Sequence, residues 1–166
     1  NIIYKTTNAG QNWIMQPNPA QCYIEQICPV DSNIVYAAGW FTMLKTTNGG
    51  QNWIGIFAGT YGSGLPQLEG VHFIKYNTGW FCGNMRMLKT TNGCQSWDST
   101  NINGDMMDIY FRNELEGVSC GEYCMYKTTN GGINWNWVQM PFTTMMHRFY
   151  KISFINNLIG WVAGSS

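Results

Sequence analysis

Four segments, YKTTNAGQNW (4–13), LKTTNGGQNW (44–53), LKTTNGCQSW (88–97) and YKTTNGGINW (126–135), align without a gap. Their closing tryptophans, Trp13, Trp53, Trp97 and Trp135, stand 40, 44 and 38 residues apart. A period that regular marks an internal repeat of one supersecondary unit. The shared pattern is T-x-N-x-G-x-x-W: Thr6, Asn8, Gly10 and Trp13; Thr46, Asn48, Gly50 and Trp53; Thr90, Asn92 and Trp97; Thr128, Asn130, Gly132 and Trp135. Asparagine accepts backbone hydrogen bonds from about two residues on and tolerates left-handed backbone. Glycine takes positive φ without a Cβ clash, a threonine hydroxyl caps nearby amides, and tryptophan covers the turn with a large apolar face. Every role in the pattern builds a hairpin, and none is catalytic.

The remainder of each unit repeats as well. Upstream lies a short run ending in a small residue and glycine: VYAAG (35–39), GWFCG (79–83), GVSCG (117–121) and GWVAG (160–164). Ten residues before each last glycine an apolar pair ends, Ile27 with Pro29, Val71 with Phe73, Ile109 with Phe111 and Ile152 with Phe154. Spacing of two places both members of a pair on one strand face. A unit thus reads as four strands with no helix candidate, which predicts an all-β fold, a β-propeller of four-stranded antiparallel blades. One domain over 1–166 is expected, with blades at about 21–56, 67–100 and 105–139 and a composite blade from 148–166 plus 1–16.

That composite blade follows from spacing. Gly39 to Lys45, Gly83 to Lys89 and Gly121 to Lys127 each span six residues, and Gly164 through Ser166 and on from Asn1 to Lys5 spans seven. Either the ends exchange strands to close a four-bladed ring, or the chain is a window of a larger propeller. A start at Asn1 without an initiator Met favours the window.

Composition agrees with short strands and tight turns: 11% charged, 15% aromatic and 19 glycines in 166 residues. Nine basic residues balance nine acidic ones. No basic run exists to neutralise phosphates, which argues against nucleic acid and an anionic membrane surface. No apolar stretch reaches the ~18 residues of a spanning helix. Cys82 and Cys120 align with Ala38 and Ala163 and read as small buried residues. Cys22, Cys28, Cys94 and Cys124 are candidates for disulfides of undetermined connectivity.

The T-x-N-x-G-x-x-W hairpin resembles the Asp-box, or BNR repeat, with Asn for the usual Asp. The longer unit, GWxxG followed by KTTNGGxxW, resembles photosystem II stability/assembly factor-like propellers and their relatives in secreted bacterial proteins. The resemblance covers essentially the whole chain. Cys94 departs from it at the box glycine and Ala9 at the residue before Gly10. It implies an extracytoplasmic location (secreted, periplasmic, cell-surface or lumenal) and a role in holding other proteins, with the box a structural hairpin away from any site.

An enzyme reading is weighed on chemistry. Sialidase chemistry needs three converging arginines, but Arg86 and Arg148 fall on one rim and Arg112 on the other. A glycosidase needs facing carboxylates. Glu69, Asp105 and Glu122 share a rim and leave that alternative open, beside the plainer reading of solvated loop acids. His72 and His147 are too few and too separated for a metal site, and no cofactor motif is present. Trp40, Tyr61, Arg86, Tyr123 and Arg148, with the Gly-rich segment 57–70, form a candidate partner-binding rim of hot-spot residue types. A protein-binding or scaffolding module is the leading expectation, and a carbohydrate-binding or cleaving propeller the alternative.

Overall fold

The computed structural model describes residues 2–20, 22–58, 67–141 and 147–165. These contain fourteen strands and no helix: β1 (Ile3–Lys5), β2 (Ile14–Gln16), β3 (Ile24–Pro29), β4 (Val35–Gly39), β5 (Thr42–Thr46), β6 (Ile54–Ala58), β7 (Leu68–Lys75), β8 (Thr78–Thr90), β9 (Asp98–Phe111), β10 (Gly117–Gly121), β11 (Cys124–Thr128), β12 (Asn136–Trp137), β13 (Arg148–Phe154) and β14 (Gly160–Ser165). All pairings are antiparallel.

The sheet β3-β4-β5-β6 is one complete four-stranded blade. A six-stranded ladder, β7 to β12 in chain order, holds two more. Within it β8 passes through Asn84-Met85, pairing with β7 up to Gly83 and with β9 from Asn84. Met85 has φ 54, as Phe41 does between β4 and β5 and Tyr123 has 62 between β10 and β11. By that equivalence β8 is the two middle strands of a blade in one run. Likewise β9 pairs first with β8 and then with β10, bending beside Gly104 at φ 99. The remaining strands form two separate two-stranded sheets, β1-β2 and β13-β14. Of the two alternatives for the chain ends, the described strands show no pairing between β1-β2 and β13-β14, an arrangement that the window of a larger propeller allows.

The glycine that closes each second strand has a steric cause. A Cβ on Gly39 would lie 1.9 Å from the Tyr23 carbonyl oxygen. The neighbouring strand bulges at this point in every blade, between Ile24 and Gln26 in the first. The bulge brings the Tyr23 carbonyl close enough to accept from the Trp40 amide at 3.0 Å.

The apolar cores lie between blades, because strand alternation sends successive residues to opposite faces. Ala37 and Leu44 face β1 and Ile3, whereas Tyr36, Ala38 and Met43 face Leu68, Val71 and Phe73 of the next blade. Aromatic stacking recurs at each junction: Tyr36 on Phe73 at 3.6 Å and Trp80 on Phe111 at 3.5 Å. Such pairs contribute roughly 0.5–1.5 kcal/mol beyond their buried area. At the third junction Val118 stands where the ring would be. Its cross-strand neighbour Tyr110 supplies the ring instead, stacking on Phe154 at 4.7 Å.

Candidate functional site

The four repeated turns share one hydrogen-bond pattern. In the second copy the Thr46 hydroxyl donates to Asn48 Oδ1 at 2.9 Å and accepts from the Gly50 amide at 3.0 Å. Asn48 Oδ1 also accepts from the Asn52 amide at 2.9 Å, four residues on where two were expected. Thr6, Thr90 and Thr128 do the same with Asn8, Asn92 and Asn130. Cys94 keeps the turn intact at φ 75, where Gly10, Gly50 and Gly132 have φ 85, 89 and 88. The turn is thus strained rather than rebuilt, at a typical cost of about 1–2 kcal/mol for a residue with a Cβ.

These turns staple one blade to the next. Lys5 Nζ donates to the Gly49 carbonyl at 2.9 Å, Lys45 Nζ to that of Gly93 at 3.5 Å, and Trp80 Nε1 to that of Gly131 at 3.0 Å. Trp53 is buried, and Trp97 and Trp135 meet Phe81 and Phe111 edge-on. Trp13 is 59% exposed.

The opposite rim carries the two-residue turns. Trp40 is 39% exposed and tilts against Tyr23 at 5.3 Å, while Met85 and Tyr123 project into solvent. Arg86 lies within β8, half-buried, and no hydrogen bond or ion pair to it occurs among the described residues. Arg148 opens β13 and pairs with Glu122, which with a Tyr123 hydrogen bond raises its pKa. Tyr61, and residues 59–66 of the expected Gly-rich segment, lie outside the described residues. Tyr23 and Met85 join this rim although the sequence reading passed over them. A position shared by every unit at the start of its first strand, and the aligned turn Trp40-Phe41, were the available signals.

The structure also assembles a polar group at the axis. The equivalent innermost positions of successive blades are Gln26, Gly70, Asp108 and Lys151. Gly70 has no side chain, so Gln26 reaches past it. Gln26 Nε2 donates to Asp108 Oδ1 at 2.8 Å, and Gln26 Oε1 accepts from the Val71 amide at 2.5 Å. The Ile152 amide donates to Asp108 Oδ2 at 2.8 Å and Lys151 Nζ lies 3.2 Å from it. Asp108 is 2% exposed and links three blades. Glu25 and Asp105 lie close enough to Glu69 to act on its charge, so these three carboxylates share one mouth. Burial first, then the charges of Glu25 and Asp105, raise the Glu69 pKa, against a hydrogen bond from Gln67 that lowers it.

The other reactive groups have structural employment. Arg112 pairs with Glu116 and donates to the Asn157 carbonyl at 2.8 Å on the far rim, so the three arginines do not converge. His72 packs edge-on against Tyr110 at 5.0 Å, and burial lowers its pKa. All six cysteines are free thiols, which corrects the disulfides considered for Cys22, Cys28, Cys94 and Cys124. Cys28 and Cys94 border one inter-blade core and Cys124 lies in another, and no disulfide joins any of them. Burial raises the pKa of Cys28, Cys82, Cys94, Cys120 and Cys124, to about 12 for Cys94 and Cys120. No group of three or more His, Cys, Asp or Glu able to hold a metal occurs among the described residues.

The sequence matches no family profile and no curated protein. Solved structures match its fold. YCF48 bound to D1 peptide superposes at TM-score 0.66 with 22% identity, covering 79% of this chain and 43% of that one. An ancestral GH74 enzyme superposes at 0.71 with 18% identity, covering 90% and 22%. YCF48 from Cyanidioschyzon merolae gives 0.50 with 15% identity, covering 99% and 71%. The chain therefore has the fold of YCF48-like and GH74 propellers, and it spans less than half of the first two.

Proposed function

We propose that this chain is the blade array of a non-catalytic, photosystem II assembly factor-like propeller that binds a polypeptide in an extracytoplasmic setting. The rim carrying Trp40, Tyr23, Met85 and Tyr123 is its docking surface. The observation that carries this reading is the exposure of Tyr23, Trp40, Met85 and Tyr123 together on that rim. The opposite rim is occupied by the stapling turns. Exposed aromatics beside arginine are the residue types that anchor protein interfaces. The fold likeness to YCF48 bound to D1 peptide supports a peptide as the occupant. Arg86 is the charge offered to it, since Arg148 is already paired with Glu122.

The test uses a phage-displayed library of extended peptides, with a glycan array run in parallel. A peptide selected by the wild-type chain loses about thirtyfold in affinity with Trp40→Ala, the equivalent of a hot spot of about 2 kcal/mol. Peptide binding unchanged in Trp40→Ala and Arg86→Ala would move the docking surface elsewhere. Glycan hits without peptide hits would instead favour a carbohydrate-binding propeller, for which the Glu25, Glu69 and Asp105 mouth is the place to look.

A further inference from the structure

The sequence holds four Asn-Gly pairs, Asn48-Gly49, Asn92-Gly93, Asn103-Gly104 and Asn130-Gly131. Asparagine before glycine loses its side-chain amide readily, because no Cβ hinders attack by the glycine nitrogen. Three of the pairs lie in the repeated turns, where the fold locks both reacting groups. The amides of Gly49, Gly93 and Gly131 donate to the carbonyls of Asn33, Asn77 and Leu115 at 2.9, 2.9 and 2.7 Å. The side chains of Asn48, Asn92 and Asn130 are held towards the amides of Asn52, Ser96 and Asn134 instead.

The remaining pair is placed differently. Asn103 is exposed, and no hydrogen bond to its side chain occurs among the described residues. It lies at the bend of β9, where Asn101 faces Arg86, Asp105 faces Asn84 and Met106 faces Gly121, so both ladders skip Asn103 and Gly104. Position 104 requires glycine, with φ 99 and only 2.7 Å between an added Cβ and Cys124 Sγ. The peptide that joins the pair also carries a donor: the Tyr126 hydroxyl donates to the Asn103 carbonyl at 3.0 Å. A donor on that oxygen stabilises the anion formed when the Gly104 N–H gives up its proton.

We infer that Asn103 is a site of spontaneous deamidation promoted by Tyr126. Hydroxide takes the Gly104 amide proton, and the nitrogen attacks Asn103 Cγ. The new N–Cγ bond closes a succinimide ring. The Cγ–Nδ2 bond breaks, and ammonia leaves with a proton from water, which restores the hydroxide. Water then opens the ring, at Cγ to give aspartate or at the main-chain carbonyl to give isoaspartate. Nothing is oxidised or reduced. The Glu122 amide donates to the Asp105 carbonyl at 2.8 Å, so the new carboxylate appears beside the Glu122-Tyr123 turn, on the rim of exposed aromatics.

Peptide mapping by mass spectrometry, after incubation at mildly alkaline pH, tests this. In the folded chain Asn103 is expected to convert at least about tenfold faster than Asn48, Asn92 or Asn130, which react only after local opening. In urea all four convert at similar rates, because the fold and not the dipeptide makes the choice. Tyr126→Phe keeps the ring and slows Asn103 in the folded chain by roughly two- to tenfold, the share of one hydrogen bond. Its rate in urea stays that of wild type, which a change in the sequence context would not allow. Equal rates at the four pairs of the folded chain, or an Asn103 amide that outlasts those of the turns, would overturn the site. A Tyr126→Phe chain that converts as fast as wild type would overturn the part given to the tyrosine.

Discussion

Replacing Asp108 by Ala removes a carboxylate that ties three blades together at the axis, and the cost follows from its partners. Its two oxygens receive Gln26 Nε2, the Ile109 amide and the Ile152 amide at 2.8, 3.0 and 2.8 Å. In the Ala variant Gln26, half-buried, turns towards water, but the two amides lie in buried strands and stay unpaired. Each orphaned donor costs about 1–3 kcal/mol. Lys151 is largely exposed and its lost ion pair adds about 0–1 kcal/mol. The expected loss is about 2–7 kcal/mol, against a total of about 5–15 kcal/mol for a domain. Asp108→Asn keeps one acceptor oxygen and turns an NH2 towards one donor, so about 1–3 kcal/mol is lost. Urea denaturation reads both as a lower midpoint at unchanged slope. Native-state amide exchange should show Ile152 opening more easily in both variants. A loss below about 1 kcal/mol for Asp108→Ala, or unchanged exchange at Ile152, would refute the axial role.

Thr46→Val preserves shape but strips the hydroxyl that accepts from the buried Gly50 amide, so about 1–2 kcal/mol is lost. Thr6→Val in the exposed first copy should cost less than half as much by thermal melt, because water reaches the Gly10 amide. Glu116 has its pKa lowered to about 2, chiefly by the Arg112 hydrogen bond, then by that of Asn113. Its contribution is therefore complete above the unfolded carboxylate range and lost as pH falls from about 4.5 towards 2. Across that window wild type should lose more stability than Glu116→Gln, and parallel acid melts would contradict the pairing.

The repeat, the strand order within a unit and the turn chemistry were legible in the residues, because each is settled over a few positions. Thr46, Asn48 and Gly50 bond to one another within a single turn. The glycine at 39 follows from a strand that must pass against a bulge, and the same steric demand recurs in each unit. Such requirements leave a mark at fixed spacing, whatever lies elsewhere in the chain.

The remaining features depend on residues brought together from distant parts of the chain. Asp108 looks in sequence like eight other acids, yet it is nearly fully buried because its partners arrive from 82 and 44 residues away. Val118 breaks the aromatic pattern of its position, and the ring is restored by Tyr110 through cross-strand pairing. Trp80 and Trp161 occupy the same place in the same motif, one buried and the other in solvent. A motif specifies what a strand offers, whereas burial depends on whether a neighbouring blade is there to receive it.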